Sequence, residues 1–271
     1  MRCYVINSGR NDSLMIYDLQ KAGMWKRISA FLFDNILLLV AIVGIAALLS
    51  TMLGYDKHSD ALNAAYEKYA TQYGFDVDTT QEDYDAMTEA EKAKYVAAYE
   101  AVCEALAADE EAMYAYSMIV NLSLVIWSGA ILLAMFIFEF AVPMLFGNGQ
   151  TLGKKIFGIA IMRTDGVKVS GPLMFIRTIL GKFTIETMIP VIILFMMFLG
   201  TIGIIGPFII MVLLVLQCIM LVMSKSGRLI HDYLAKTVAV DMSSQMIFDT
   251  VEEMLEYKKS VAAEKAAKQD Y

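Results

Sequence analysis

A carboxylate stands inside the first long apolar run of this chain. Arg27 opens the run as Arg27-Ile-Ser-Ala-Phe-Leu-Phe-Asp34-Asn35, and Ile36 to Leu49 follow without a charge. An ionised acid that close to hydrocarbon costs several kcal/mol unless it is paired or hydrated. The run therefore needs a partner, and a partner implies a helix bundle. Composition agrees: 58% of the 271 residues are hydrophobic, where a soluble domain sits near ~45–50%.

Charge is split along the chain. Residues 54–116 hold fifteen Asp and Glu against four Lys, a net of -11. The chain as a whole is -7, so the remainder is +4. Such a division points to two compartments rather than one acidic surface. Cys3, Cys103 and Cys218 fall in three different environments, so no disulfide framework follows. The first apolar run is too long for a cleaved signal and reads as an uncleaved anchor.

Four spans are expected. The first covers about 29–53 and the second about 116–146, the latter interrupted only by Asn121 and Glu139. Residues 184–223 then run forty positions with Glu186 as the only charge. One span needs about 20 apolar residues, so this stretch reads as two. The break falls at Gly200-Thr201-Ile202-Gly203-Ile204-Ile205-Gly206-Pro207, where glycine and proline permit a reversal. One kinked, over-long helix is the alternative.

Basic residues set the orientation. Lys21, Lys26 and Arg27 precede the first span. Lys154, Lys155, Arg163, Lys168, Arg177 and Lys182 face a single Asp165 in 147–182, and Lys225, Arg228 and Lys236 follow the last span. These segments are expected in the cytoplasm. The chain then divides into a cytoplasmic N-terminal segment (1–24), a first span (25–53) and an acidic extracytoplasmic helical insertion (54–115). The remaining spans, with a basic loop and a His-Asp segment, occupy 116–241, and a charged cytoplasmic tail occupies 242–271. The fold class is all-α: a four-span bundle in the cell membrane with both termini inside.

The insertion reads as helical. Thr88-Glu89-Ala90-Glu91 has the form of a capping box, and no Gly or Pro follows until Gly129. One continuous helix from the insertion into the second span is expected. Tyr66, Tyr69 and Tyr73 share a stripe, as do Tyr95 and Tyr99; they read as the packing of a small helical cap. The tail from Phe248 reads as an exposed helix.

Chemistry is sought among the intramembrane charges. Arg27 and Asp34 lie two turns apart on one helix face, their Cα atoms about 10 Å apart, so a direct bond needs both side chains stretched. Glu139 in Phe136-Ile137-Phe138-Glu139-Phe140 is expected at a depth similar to Asp34. Two like carboxylates there need a cation between them: Arg27, Arg177, Lys182 or a bound metal cation. Glu186 reads as an interfacial acid paired with Lys182, four positions earlier.

Other motifs carry less. Gly149-Gln150-Thr151-Leu152-Gly153-Lys154-Lys155 has the wrong spacing for a phosphate loop and puts Lys155 where Ser or Thr belongs, so no nucleotide is expected. Ile156–Ile161 alternates into Thr164-Asp165-Gly166-Val167, which reads as a local hairpin or an amphipathic segment. His231 and Asp232 follow the last span. The second histidine, His58, falls on the other side, so a His-rich zinc site is excluded. No nucleophile–base or metallohydrolase pattern occurs; no enzyme activity, cofactor or nucleic acid is expected.

Together these residues resemble the RDD family of bacterial membrane proteins, named for one Arg and two Asp. Arg27 and Asp34 match the first two, and Asp232 matches the second Asp within His231-Asp232-Tyr233-Leu234-Ala235-Lys236-Thr237. Gly149, Gln150, Thr151, Gly153 and Lys154 resemble the family's central loop, and Glu139 and Arg177 fall where it often has Glu and Arg. The similarity covers about 24–56 and 115–241 and leaves the acidic insertion without a counterpart. It implies a helical membrane fold and a transporter. On that reading Arg27, Asp34, Glu139, Arg177, His231 and Asp232 form a charged cluster that exchanges a monovalent cation for a proton. Asp34 and Glu139 are its exchanging carboxylates, and four spans are few enough to require a homo-oligomer. The alternative is a non-transporting scaffold or accessory subunit that binds a protein partner.

Overall fold

A computed structural model of the chain describes residues 18–223 and 227–269. Cys3 and Lys225, along with most of the N-terminal segment, lie outside them. Helix dominates. The contacts divide the chain into two units, one comprising the residues up to Ala41 together with those from Ile131 onward, the other Ile42–Ala130.

Three helices among the described residues are long and apolar enough to cross a membrane: α1 (Met24–Leu53), α5 (Glu110–Phe146) and α7 (Gly171–Phe198). A further apolar helix, α8, covers Ile205–Met223. Their side chains face outward: Val40 is 70% exposed, Leu145 83% and Leu214 62%. Helices apolar on every face and uncovered by protein need hydrocarbon as their solvent. The chain is a helical membrane protein. The long apolar stretch does break where glycine predicts. The α7 helix ends at Phe198, Gly200 and Gly203 take positive φ, and α8 starts at Ile205. The two then pack together, with Gly206 so close to Met197 that a Cβ would lie 2.5 Å from its Cγ.

The unit Ile42–Ala130 holds α2 (Tyr55–Tyr73), α3 (Gln81–Ala86) and α4 (Glu89–Ala108). The Thr88 capping box forms, Glu91 accepting from the Thr88 amide at 2.8 Å. A second box joins Thr80 and Asp83. The α2 and α4 helices pack around Phe75, whose ring lies 4.9 Å from Tyr95, 5.5 Å from Tyr99 and 6.4 Å from Tyr66. The expected continuous helix is interrupted. Asp109 is extended and its Oδ1 accepts from the amides of Glu111 and Ala112 at 3.0 and 3.1 Å, while Oδ2 accepts from Tyr69 at 2.8 Å. An aspartate that satisfies first-turn donors, followed by two glutamates at the positive helix end, starts a new helix there.

In the other unit a small sheet joins distant segments. Strands β1 (Ile159–Arg163) and β2 (Thr237–Asp241) pair antiparallel, from Ile159 opposite Asp241 to Arg163 opposite Thr237. The expected turn forms, with the Arg163 amide donating to Val167 at 2.8 Å, but it continues only as one bridge, Met162 to Lys168. A local hairpin loses because both faces of this sheet are buried. Ile159, Ile161 and Ala239 pack on Ala22 and Ala30, and Ala160, Met162, Val238 and Val240 form the other layer. Only the apolar Val238-Ala239-Val240 run suits such a place. The final helix, α10 (Val251–Gln269), is not wholly exposed: Met254 packs with Val167 and Phe248.

Candidate functional site

The site begins where α1 meets the central loop. Gly149 holds φ +60, and a Cβ there would sit 2.9 Å from the Ile161 Cβ. Gln150, buried, donates to the Ile159 carbonyl at 2.7 Å. Thr151 caps the short helix α6 (Leu152–Ile156), accepting from the Lys154 amide at 3.4 Å. These contacts fix the loop against β1 and aim its polar groups at Asp34. The Thr151 hydroxyl donates to Asp34 Oδ2, and the Gly153 amide donates to Oδ1 at 2.7 Å. A Cβ on Gly153 would fall 2.5 Å from the Ala30 carbonyl and 2.9 Å from Asp34 Oδ1. Only glycine permits that approach.

Asp34 therefore has its partner, but it is the loop and not Arg27. Two turns of helix hold Arg27 and Asp34 apart, while the loop brings an amide, a hydroxyl and an ammonium directly to the carboxylate. Among the described residues Arg27 has no acid at ion-pair distance, and Asp232 is the acid whose charge acts most on it.

Lys154 stands between the first two acids. Its Nζ lies 3.6 Å from Asp34 Oδ2 and 4.0 Å from Glu139 Oε2, and donates to Thr151 Oγ1 at 3.0 Å. Burial lowers its pKa to about 8; Glu139 and Asp34 oppose the shift, and Lys182 and Arg177 add to it. Glu139 sits in a π-helical stretch of α5, Phe136–Ala141, and is 7% exposed. Lys182 Nζ reaches its Oε2 at 2.6 Å. An ammonium at that distance compensates the buried Oε2 charge directly.

The expected Lys182–Glu186 pair is replaced. Residues Ile176–Met188 of α7 are π-helical, and i to i+5 bonding shifts side chains out of the α register in which positions four apart align. Lys182 turns to Glu139. Glu186 accepts from the His231 ring Nδ1 at 2.7 Å and from its backbone amide at 3.1 Å.

His231 and Asp232 lie on α9 (Ile230–Leu234), which packs on the π-helical stretch of α7. Gly181 makes room: a Cβ there would lie 2.5 Å from the His231 Cβ. Asp232 Oδ1 accepts from Arg177 Nε and Thr237 Oγ1, both at 3.0 Å. Burial pushes the Asp232 carboxyl up. The charges of His231 (when protonated) and Arg177, with the Arg177 and Thr237 hydrogen bonds, outweigh it and hold the group well below the usual carboxylate range. Burial lowers the His231 pKa against the pull of Asp232 and Glu186, and its Nδ1 faces the Glu186 carboxylate.

The structure thus gathers five of the six expected residues into two groups, Asp34 with Glu139 through Lys154 and Arg177 with Asp232 and His231, and Arg27 is related to the second by charge alone. It adds Thr151, Lys154, Lys182, Glu186 and Thr237. Arg27, Lys154, Arg177 and Lys182 balance Asp34, Glu139, Glu186 and Asp232 one for one. Among the described residues no three His, Cys, Asp or Glu side chains converge as a multivalent metal requires. Lys154 was legible as part of a loop motif but not as an ion-pair partner. Its signal is the Thr151 cap, which fixes the first turn of α6 and so directs Lys154 back toward Thr151.

Neither the curated proteins nor the solved structures contain a match to this chain. The family model described as the RDD family matches residues 21–236, a span that includes Arg27, Asp34, Glu139, Arg177, His231 and Asp232 and most of the sequence, and the chain belongs to that family.

Proposed function

We propose that this protein exchanges a monovalent cation for a proton across the cell membrane, with Asp34 and Glu139 supplying the carboxylates. One observation carries the reading: a single positive charge, the Lys154 ammonium, is held between those two buried acids. Two acids that share one ammonium mark a place where one monovalent positive charge is compensated. The π-helical stretches around Glu139 and Arg177 support it, since such interruptions are frequent at functional sites. On this reading α8 is a fourth span, the acidic insertion lies outside, and both termini lie inside, as the basic segments direct. Four spans leave little surface for alternating access, so the working unit is a homo-oligomer.

A second reading has its own support. The Arg177–Asp232–Thr237 group is buried, and Asp232 Oδ1 accepts from both Arg177 and Thr237. A network so closed suits a scaffold whose ion pairs fix helix register for a protein partner.

Liposomes that carry the purified protein separate the two. With an imposed pH gradient, added Na+ or K+ elicits proton flux if exchange occurs. The flux disappears in Asp34→Asn and survives in Asp85→Asn. Folded protein that gives no flux with either ion leaves the scaffold.

A further inference from the structure

We propose that the acidic insertion binds a small organic ammonium ion against a wall of three tyrosines. The site lies wholly within the unit Ile42–Ala130 and stands apart from the exchange reading.

A cavity of about 300 Å³ opens beside α3 and α4, at the small end of the range for ligand sites. Tyr84 from α3 and Tyr95 and Tyr99 from α4 line it, together with Val96 and Thr80. None of the residues that line it carries a charge. Tyr95 and Tyr99 are four positions apart, so both rings leave one face of α4. Phe75 packs against them at 4.9 and 5.5 Å. Tyr84 adds a third ring, 5.6 Å from Tyr95 and inclined to it by 59°. Packing of the cap explains the covered sides of these rings and leaves the others in the open: Tyr99 is 47% exposed and Val96 40%.

The surroundings select the sign of the guest. Residues 54–116 carry fifteen acids against four lysines, a field that draws cations and turns anions away. Asp83 is bonded to the wall itself, accepting from Thr80 Oγ1 at 2.6 Å. The Thr80 bonds hold its carboxyl below the usual carboxylate range, so it stays charged. Lys92 already sets one ammonium 5.8 Å from the centre of the Tyr84 ring, and Glu89 compensates that charge at 3.6 Å.

The lining selects the kind of cation. A hard metal ion needs several converging oxygens, and the described residues hold no cluster of acids, histidines or cysteines that supplies them. Aromatic faces instead attract a cation whose charge is spread over alkyl groups, because each ring turns the negative face of its quadrupole to it. A cavity of this size takes one such ammonium head.

The test is calorimetric titration of the intact protein, in uncharged detergent, with choline and with the neutral choline isostere in which tert-butyl replaces trimethylammonium. Choline is expected to bind at least about tenfold more tightly than the isostere, since only the charged form is held by the rings and the acidic field. Tyr84→Leu and Tyr99→Leu are each expected to weaken choline about two- to fivefold, the loss of one cation–ring contact. Tyr84→Phe, which keeps the ring face, is expected to bind as wild type does. Circular dichroism checks that each variant keeps its helices; the Tyr99 ring is half exposed, so its arm stands even if Tyr84→Leu disturbs the cap. Equal binding of choline and the isostere, unchanged affinity in both leucine variants, or no binding of choline at millimolar concentration overturns the proposal. Capture of an oligolysine peptide without any binding of choline assigns the surface to a basic protein and overturns it too. None of these outcomes touches the flux that depends on Asp34, so the exchange reading stands or falls separately.

Discussion

Replacement of Asp232 by alanine should be among the most damaging single changes in the cluster. Asp232 and Arg177 are 1% and 3% exposed, and their ion pair spans 3.0 Å. The alanine leaves a guanidinium that cannot shed its proton in a site that water does not reach. Loss of one partner from a buried pair costs about 3–5 kcal/mol. Asp232→Asn should cost less, about 1.5–3 kcal/mol, because its amide oxygen still accepts from Arg177 and Thr237 without the charge. The double replacement Arg177→Met with Asp232→Leu removes both charges and fills the space, so most of the loss should return. Reversible denaturation in mild detergent, followed by tryptophan fluorescence, of wild type, Arg177→Met, Asp232→Leu and the double variant supplies all four corners of the cycle. A coupling of at least about 2 kcal/mol is expected for groups in direct contact. An Asp232→Ala cost under about 1 kcal/mol, or strict additivity in the double variant, would show that the pair does not hold α9 to α7.

Gly181→Ala puts a Cβ 2.5 Å from that of His231, against a short helix pinned by Glu186, and should cost about 1–3 kcal/mol of stability in the same denaturation assay. Gly206→Ala meets the Met197 and Ile202 side chains and no backbone and should be milder in a parallel measurement. Gly153→Ala drives into the Ala30 carbonyl and Asp34, so sodium binding should fall while the acidic insertion, followed by circular dichroism of its helices, is unchanged. His231 titrates below its ordinary value because it is buried, so the unfolded chain binds more protons than the folded one just below about pH 6.5. Stability should therefore be full above that pH and fall as pH drops through the window, with the slope reduced in His231→Gln; the depressed Asp232 carboxyl adds its own loss only below about pH 4.

Some of this was legible because cost is local. Asp34 and Glu139 announce themselves in apolar runs, since a carboxylate in hydrocarbon needs compensation whatever surrounds it. The Thr88 box and the glycines at Gly200 and Gly203 are equally local, each acting within one turn of chain. Partners are not local. Asp34 is satisfied by a backbone amide at Gly153, and amides have no sequence signature because every residue but proline carries one. The β1–β2 ladder joins Ile161 to Ala239, and local periodicity cannot choose between that pairing and a nearby hairpin. The π-helical register at Ile176–Met188 has no residue code at all, yet it sends Lys182 to one acid and Glu186 to another.

The same distinction explains why the cluster is neutral. A lone acid on α1 and another on α5 are each unfavourable, and no cation on their own helices meets them at ion-pair distance. Compensation has to come from α6 and α7, and α7 in turn pairs with α9. The α6 and α9 helices are five residues long, too short to persist as isolated helices in water. Each is docked by polar bonds to a longer element: α6 by Gly153 and Lys154 to Asp34, and α9 by His231 and Asp232 to Glu186 and Arg177. The charges in the apolar helices are therefore what anchors the short segments, and the short segments are what makes those charges tolerable. Any event that changes the charge at Lys154 must then loosen or tighten α6 on α1, because Asp34 answers to both the ammonium and the Gly153 amide.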